Sequence, residues 1–131
     1  MALTLDQATS LEHVGDTLYV GFNDDLTRVS FPKLKTIGGA LIIESNPALK
    51  ELHFPALESI GKYLHVHDCL VVVELVAPRL RAVGGDVSLV SCPRLATVRM
   101  GSAAQPATTT NLEVKGLASP VLPGLHVTIR G

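Results

Sequence analysis

Three residues near the middle of the chain have the types and spacing of a metal site. His65 and His67 are two residues apart, so on an extended strand they lie on the same face. The residue numbers of Glu44 and His67 differ by 23, a spacing that recurs throughout the chain, so Glu44 should lie beside His67. Two imidazoles and one carboxylate could hold a zinc ion and leave a coordination position open. The alternative is a solvated polar strand face, which we favour, and we therefore expect no metal and no cofactor.

The two cysteines, Cys69 and Cys92, have the same spacing. Neighbouring parallel strands lie about 4.8 Å apart, inside the roughly 4.4–6.8 Å range of disulfide Cα atoms. Stacked side chains point in the same direction, however, so we expect two buried thiols, and the redox state stays open. Buried thiols are usually inert, and the chain has no Gly-x-Ser-x-Gly motif. We therefore predict no catalytic residues and a protein that is not an enzyme.

These side chains belong to a sequence repeat with a period of 23, so the structural units of that repeat determine their positions. Leu11, Leu34, Leu57 and Leu80 each begin one unit. In all four units, positions one, four, eight, ten, sixteen, nineteen and twenty-one are apolar and position five is glycine. A fixed period in this range is typical of solenoids, in which each unit buries its apolar side only against its neighbours. At about 1.5–3 kcal/mol for each fully buried side chain, these positions are the main driving force for folding.

The apolar residues at positions eight and ten are separated by one residue, which is the alternation of a β-strand. Parallel strands are therefore expected at Leu18–Val20, Leu41–Ile43, Leu64–Val66 and Val87–Leu89. The glycine at position five should supply a turn conformation that a Cβ would resist. No unit has room for a long helix. The sequence thus predicts a mainly β fold, a short right-handed β-solenoid with about four coils, one for each repeat.

The whole chain, residues 1–131, is expected to be a single solenoid domain. Residues 1–10 would form an N-terminal partial coil, residues 11–102 the four repeats and residues 103–131 a C-terminal cap. In the partial coil, Leu3 falls on position sixteen and Asp6 on position nineteen. After Ser102 the register slips, and Leu112 and Val114 fit positions eight and ten only if two residues are inserted.

Residues between the buried strand positions should face outward and form two columns across the stacked strands. Position nine is Tyr19, Ile42, His65 and Ser88, and position eleven is Gly21, Glu44, His67 and Val90. Such a face is where a solenoid would bind a partner. The candidate binding residues are therefore Tyr19, Ile42, Glu44, His65, His67 and Ser88.

Composition excludes several partners. With 11 Lys and Arg against 12 Asp and Glu, and no basic stripe, a nucleic-acid partner has no electrostatic support. The longest apolar run, Leu70–Val73, is far too short to span a membrane. Residues 1–10 lack the basic start and apolar block of a secretory signal. The expected location is cytoplasmic if the chain is complete and extracellular if a leader has been removed.

The units resemble the receptor L domain, the short leucine-rich-repeat-like β-helix of insulin- and epidermal-growth-factor-type receptors. The stretch from Leu34 to Ile43, with Gly38-Gly39 at its centre and Asn46 and Leu49 following, is similar to that family's pattern. Leu80 to Leu89 repeats the pattern with Gly84-Gly85. Position thirteen is shared by Asn and Cys, as in leucine-rich repeats, and is occupied by Asn23, Asn46, Cys69 and Cys92. The resemblance covers about residues 11–102 and implies a solenoid fold.

Three functions are consistent with this pattern. The first is a non-enzymatic interaction module that binds a protein or a glycan through the outward strand face. The second is a self-assembling structural protein, most simply a two-fold homodimer, because pairing would remove a free strand edge. The third is a metal-dependent or sugar-cleaving enzyme built on a β-helix. We rank the interaction module first because the chain has a repeat but no catalytic signature.

Overall fold

In a computed structural model of the protein, residues 3–5, 10–118 and 122–130 are described. These residues form short strands joined by turns. The strands are β1 (Leu3–Leu5), β2 (His13–Val14), β3 (Leu18–Gly21), β4 (Leu26–Ser30), β5 (Thr36–Ile37), β6 (Leu41–Glu44), β7 (Glu51–His53), β8 (Ser59–Ile60), β9 (Leu64–His67), β10 (Glu74–Ala77), β11 (Ala82–Val83), β12 (Val87–Val90), β13 (Thr97–Met100), β14 (Ala107–Thr109), β15 (Leu112–Lys115) and β16 (Val127–Ile129).

The strands stack into three parallel sheets that run along the molecule. Sheet 1 has the order β16-β14-β11-β8-β5-β2, sheet 2 the order β15-β12-β9-β6-β3, and sheet 3 the order β1-β4-β7-β10-β13. Each full turn contributes one strand to each sheet, so the chain is a β-solenoid of about five turns with a spacing of roughly 23 residues. The four predicted strands are β3, β6, β9 and β12, and they lie side by side in sheet 2, which confirms the prediction.

The core is one continuous cluster of apolar side chains between the three sheets. All seven apolar positions of the second, third and fourth units are buried, as predicted. At position twenty-one, the rings of Phe31 and Phe54 stack across successive turns with centroids 5.7 Å apart. In the first unit Leu11 is exposed, and Val14 and Leu18 are only partly buried, since β2 and β3 are the terminal strands of their sheets.

The glycine column at position five is explained by close approach of successive turns. A Cβ added at Gly38, Gly61 or Gly84 would lie under 3.0 Å from the carbonyl oxygen of the glycine one turn earlier. None of the three has a left-handed φ, so the predicted reason, an unusual turn conformation, is wrong. Glycine is needed here because it has no Cβ, so one turn can pack directly against the previous one.

Left-handed backbone occurs instead at position twelve, immediately after each strand of sheet 2. Phe22, Ser45, Asp68 and Ser91 have φ values of 57°, 54°, 55° and 57°. Gly116 occupies the corresponding place in the fifth turn and has a φ of 65°. The corner between sheets 2 and 3 therefore has the same backbone conformation in every turn, although only the fifth turn has the glycine that favours it.

Position thirteen forms a ladder of buried polar side chains, as predicted. The Asn46 amide donates to the carbonyl oxygens of Val20 (3.0 Å) and Glu44 (3.1 Å), and its Oδ1 accepts from Asn23. The Cys92 thiol likewise donates to the carbonyl oxygen of Val66 at 3.6 Å. These bonds satisfy backbone carbonyls that the corner would otherwise leave buried and unpaired.

Both ends of the solenoid depart from the regular unit. At the N-terminal end Leu3 pairs with Leu26, as position sixteen requires, but the register then shifts and Leu5 becomes the partner of Val29. Asp6, expected at this place, lies outside the described residues. At the C-terminal end Leu112 pairs with Val87 two residues later than the period requires, which confirms the predicted insertion. Strand β16 pairs with β14 of the same chain.

Within the described part of the chain, no helix is long and apolar enough to cross a membrane.

Candidate functional site

The outward side of sheet 2 brings the predicted binding residues together. Tyr19, Ile42, His65 and Ser88 are successive register partners, and Glu113 of the fifth turn continues the column. The second column runs Gly21, Glu44, His67, Val90 and Lys115. Because the alternating residues of these strands fill the core, the two columns are held on a rigid scaffold. The register partners in both columns are those that the period of 23 predicts.

Tyr19 lies flat across the first turn. Its ring covers Gly21, where an added Cβ would lie under 3.0 Å from the ring atoms, and its hydroxyl donates to Glu44 on the second turn. This hydrogen bond to a carboxylate raises the pKa of the Tyr19 hydroxyl above its ordinary value of 10.0. The absence of a side chain at Gly21 therefore allows an aromatic residue to bridge two turns while its outer face stays exposed.

A ladder of three rings runs from Tyr63, just before β9, to His67 at the end of β9, at right angles to the columns. The Tyr63 and His65 ring centroids are 4.2 Å apart, and those of His65 and His67 are 4.9 Å apart with planes only 15° from parallel. Residues at i, i+2 and i+4 of a strand share a face, which is why the three rings meet. Each ring therefore covers part of its neighbour.

Hydrogen bonds tie this ladder to the following turns. His65 Nε2 donates to the Asp86 carboxylate at 3.1 Å, which requires the proton on Nε2. His67 Nε2 lies 2.8 Å from Ser88 Oγ, and Ser88 in turn donates to Glu113 at 3.3 Å. Since the serine proton is used towards Glu113, His67 Nε2 must be the donor to Ser88.

One prediction about this face needs correction. Ser88 was expected to be exposed, but it is only 2% exposed because its neighbours in the His67–Ser88–Glu113 chain cover it. It can therefore position its neighbours but cannot contact a partner directly. The weak metal candidate Glu44, His65 and His67 is not drawn together around one point. Among the described residues these three do not form a ligand cluster, because Glu44 turns towards Tyr19 and His65 towards Asp86.

Sequence reasoning missed Tyr63, Asp86, Glu113 and Lys115 on this face, as well as the exposure of Phe22. Tyr63 and Asp86 both occupy position seven, just before the predicted strands, and their separation by one full period was the signal that could have identified them. Lys115 lies in the fifth turn and forms an ion pair with Glu113 at 3.3 Å. Phe22, which follows β3 at position twelve, is 71% exposed.

Sheet 3 carries a second cluster of titratable side chains on its outward side. Arg28 and Glu51 are register partners with Arg28 Nε 3.4 Å from Glu51 Oε2. Glu51 and Glu74 are the next pair along the column. His53 Nε2 lies 3.3 Å from Glu74 Oε1. Among the described residues, Glu51, His53 and Glu74 are the group whose side chains could hold a metal ion.

The cysteine pair is buried, as predicted, and both thiols are free. A hydrogen bond between the thiols lowers the pKa of Cys69 and raises the pKa of Cys92, and burial raises the pKa of both. Fully enclosed thiols have no path to a substrate, so the pair belongs to the corner ladder rather than to a reactive site.

Two surface cavities lie away from the face of sheet 2. One, of about 310 Å³, is lined by Glu58, Pro78, Arg79, Arg81, Ser102 and Gln105, and another of about 220 Å³ lies beside Thr97 and Pro123. Neither includes a residue of the two outward columns. The outward side of a sheet suits an extended partner better than a small molecule, which is usually enclosed.

Comparison of the chain with protein-family models, curated proteins and solved structures gave no match.

Proposed function

We propose that the protein is a non-enzymatic interaction module, similar to a receptor L domain, that binds another protein through the outward face of sheet 2. The observation that carries this proposal is the exposed aromatic surface at the N-terminal end of that face. Tyr19 is 48% exposed and Phe22 is 71% exposed, and Ile42 extends the surface onto the second turn. Aromatic residues are enriched among the hot spots of protein interfaces, where a few large side chains supply most of the affinity.

The polar half of the face favours a protein over a glycan. In the ladder of Tyr63, His65 and His67, the two outer rings pack against His65, so the central ring offers no free face for a sugar to stack on. The carboxylates of Glu44 and Asp86 can bond to peptide groups or to basic side chains of a partner. Such groups fix orientation and specificity, while Tyr19 and Phe22 would supply affinity.

Site-specific photo-crosslinking in cells tests this proposal. A photoreactive amino acid at Ile42 should give an adduct containing a second protein, identified by mass spectrometry. The matched control is Ala82, an exposed residue on the outward side of sheet 1, which should give none. Combining the Ile42 probe with Tyr19→Ala should weaken the adduct by at least tenfold, because hot-spot truncations cost about 2 kcal/mol or more.

Each alternative has its own outcome. Equal adducts at Ile42 and Ala82 would contradict use of this face. A Tyr19-dependent signal on immobilised oligosaccharides, with no protein adduct, would replace the protein partner with a glycan. Adducts that contain only peptides of this chain would indicate that the face is used for self-assembly.

Self-assembly is a second candidate function, supported by the edge of β3. This strand is the last of sheet 2, and within the described residues no strand covers its outer edge. An uncovered parallel edge can pair with another chain, and a two-fold dimer closes it without building a fibre. Sedimentation at micromolar concentration distinguishes the cases: a dimer that Phe22→Ser dissociates supports assembly through this end, whereas a monomer at all concentrations leaves only the interaction module.

A further inference from the structure

We propose that Glu51, His53 and Glu74 form a binding site for a divalent transition metal on the outward side of sheet 3. One ligand atom from each residue lies within 4.8 Å of the others. The site is on a different sheet from the face described above and uses none of its residues. It also bridges two turns, since Glu51 and His53 are in β7 and Glu74 is in β10.

The fold itself brings the three side chains together. Leu52 and Leu75 are buried register partners, so the residues on either side of each must face outward. Glu51 and Glu74 are likewise register partners, which places their side chains in adjacent positions of one column. His53 is two residues further along β7 and turns back towards Glu74. Because the strands are held by a packed core, the donor groups need little ordering before they bind a cation.

The cluster is poorly satisfied by its own protein contacts. Two carboxylates directly opposite on adjacent strands repel each other. His53 Nε2 is within 3.3 Å of Glu74 Oε1 but makes no hydrogen bond with any described residue, although this nitrogen is withdrawn from solvent. Buried polar atoms without a hydrogen bond are uncommon, and a bound ion is one of the ordinary explanations.

The donor set indicates which metals would bind. One imidazole nitrogen with two carboxylate oxygens suits Zn²⁺, Mn²⁺ or Fe²⁺, whereas Mg²⁺ and Ca²⁺ prefer all-oxygen sites. The three side chains come from one open sheet face and remain 26–40% exposed, so the side towards solvent is left for water or a partner's ligand. The metal would connect the second and third turns.

The effect of Arg28 on metal affinity distinguishes a metal site from an ordinary network of ion pairs. Its guanidinium neutralises part of the charge of Glu51 at 3.4 Å and repels an incoming cation. Arg28→Ala should therefore tighten metal binding, by about three- to tenfold after allowance for screening of a half-exposed pair. An ordinary network of ion pairs would instead lose a contact in this variant, with no gain in metal affinity.

Calorimetric titration of the chelator-treated full chain with Zn²⁺, Mn²⁺ and Mg²⁺ tests the site. We expect one Zn²⁺ or Mn²⁺ per chain, no comparable Mg²⁺ binding, and a melting temperature that rises with metal concentration. His53→Ala and Glu74→Gln should each weaken binding by at least tenfold. The control is His65→Ala, which removes a half-buried outward histidine of strand β9 in sheet 2 and should leave metal affinity unchanged.

Circular dichroism of each variant establishes that it is folded. If His53→Ala does not fold, Glu74→Gln and Arg28→Ala still decide the question through opposite changes in affinity. The proposal is overturned if neither Zn²⁺ nor Mn²⁺ binds at millimolar concentration, if binding persists in Glu74→Gln, or if it is lost in His65→Ala but kept in His53→Ala.

Discussion

Alanine at Gly61 should destabilise the solenoid far more than alanine at Gly15, although both residues occupy position five. A Cβ at Gly61 would lie under 3.0 Å from the Gly38 carbonyl oxygen, while at Gly15 nothing lies within 4 Å. The difference arises because Gly61 packs against the turn before it. Gly15 instead follows β2, which is the terminal strand of sheet 1. The two substitutions are chemically identical, so they isolate the effect of stacking.

The expected magnitude follows from the contacts at Gly61. Its backbone would have to move by about 1 Å to reach van der Waals separation from the Gly38 oxygen. This movement strains the bonds from Gly61 N–H to Ile37 O (2.8 Å) and from Lys62 N–H to Gly39 O (3.0 Å). Overpacking costs about 1–3 kcal/mol and each weakened hydrogen bond about 0.5–1.5 kcal/mol, so we expect a loss of about 4 kcal/mol. Gly15→Ala should be neutral or stabilising by about 0.4–1 kcal/mol, through the unfolded chain.

Urea unfolding followed by far-ultraviolet circular dichroism measures both changes. Against a typical total stability of about 5–15 kcal/mol, the Gly61→Ala loss should lower the midpoint by about 2 M urea with little change in slope. The Gly15→Ala midpoint should stay the same or rise. Equal midpoints for the two variants would refute the explanation that position five is glycine because successive turns touch there.

Three further predictions follow from single residues. Ser91→Gly should raise the free energy of unfolding by up to about 1 kcal/mol in the same urea assay, because glycine adopts the φ of 57° without strain; a loss of stability would contradict this. Ile43→Asp should unfold the domain, as judged by the loss of β circular dichroism, because an unpaired charge would enter a fully buried site; a folded variant would contradict the core assignment. Glu44→Gln should lower the pKa of Tyr19 towards 10.0, measured from tyrosinate absorbance in a Tyr63→Phe background, and an unchanged pKa would show that the hydrogen bond is not formed in solution. Because the folded protein holds the Tyr19 proton more tightly than the unfolded chain does, this bond stabilises the fold fully below pH 10, and its contribution is lost as the pH rises through the raised pKa.

The repeat made the architecture predictable from sequence. Seven apolar positions recurring at one period can be buried only by stacking, so the strands of sheet 2 and their outward columns could be placed correctly, including the pairing of Ile42 with His65. The two-residue insertion before Leu112 was also readable, because the alternation resumes after it. The reason for the glycines could not be read from the sequence. A close approach of two turns and an unusual φ both require glycine, so the sequence does not distinguish them.

The parts that could not be predicted depend on conformation or on side-chain reach. The left-handed column is occupied by Phe, Ser and Asp in four turns, so no glycine marks it. Ser88 stands at an outward position, and its burial depends on how His67 and Glu113 fold over it, which periodicity does not encode. Glu51 and His53 were overlooked because only positions nine and eleven were considered as a binding face. Their alternation around the buried Leu52 indicates a second outward face in the same way.

The central claim is that every turn of the chain bonds to the turn one period away. Nuclear magnetic resonance couplings across hydrogen bonds measure this directly in solution. Coupling should link the Gly61 amide to the Ile37 carbonyl and the Gly84 amide to the Ile60 carbonyl, where the N···O distances are 2.8 and 2.9 Å. Couplings that connect these amides to residues three or four positions earlier, or to no residue of the preceding turn, would contradict the solenoid and the faces it positions.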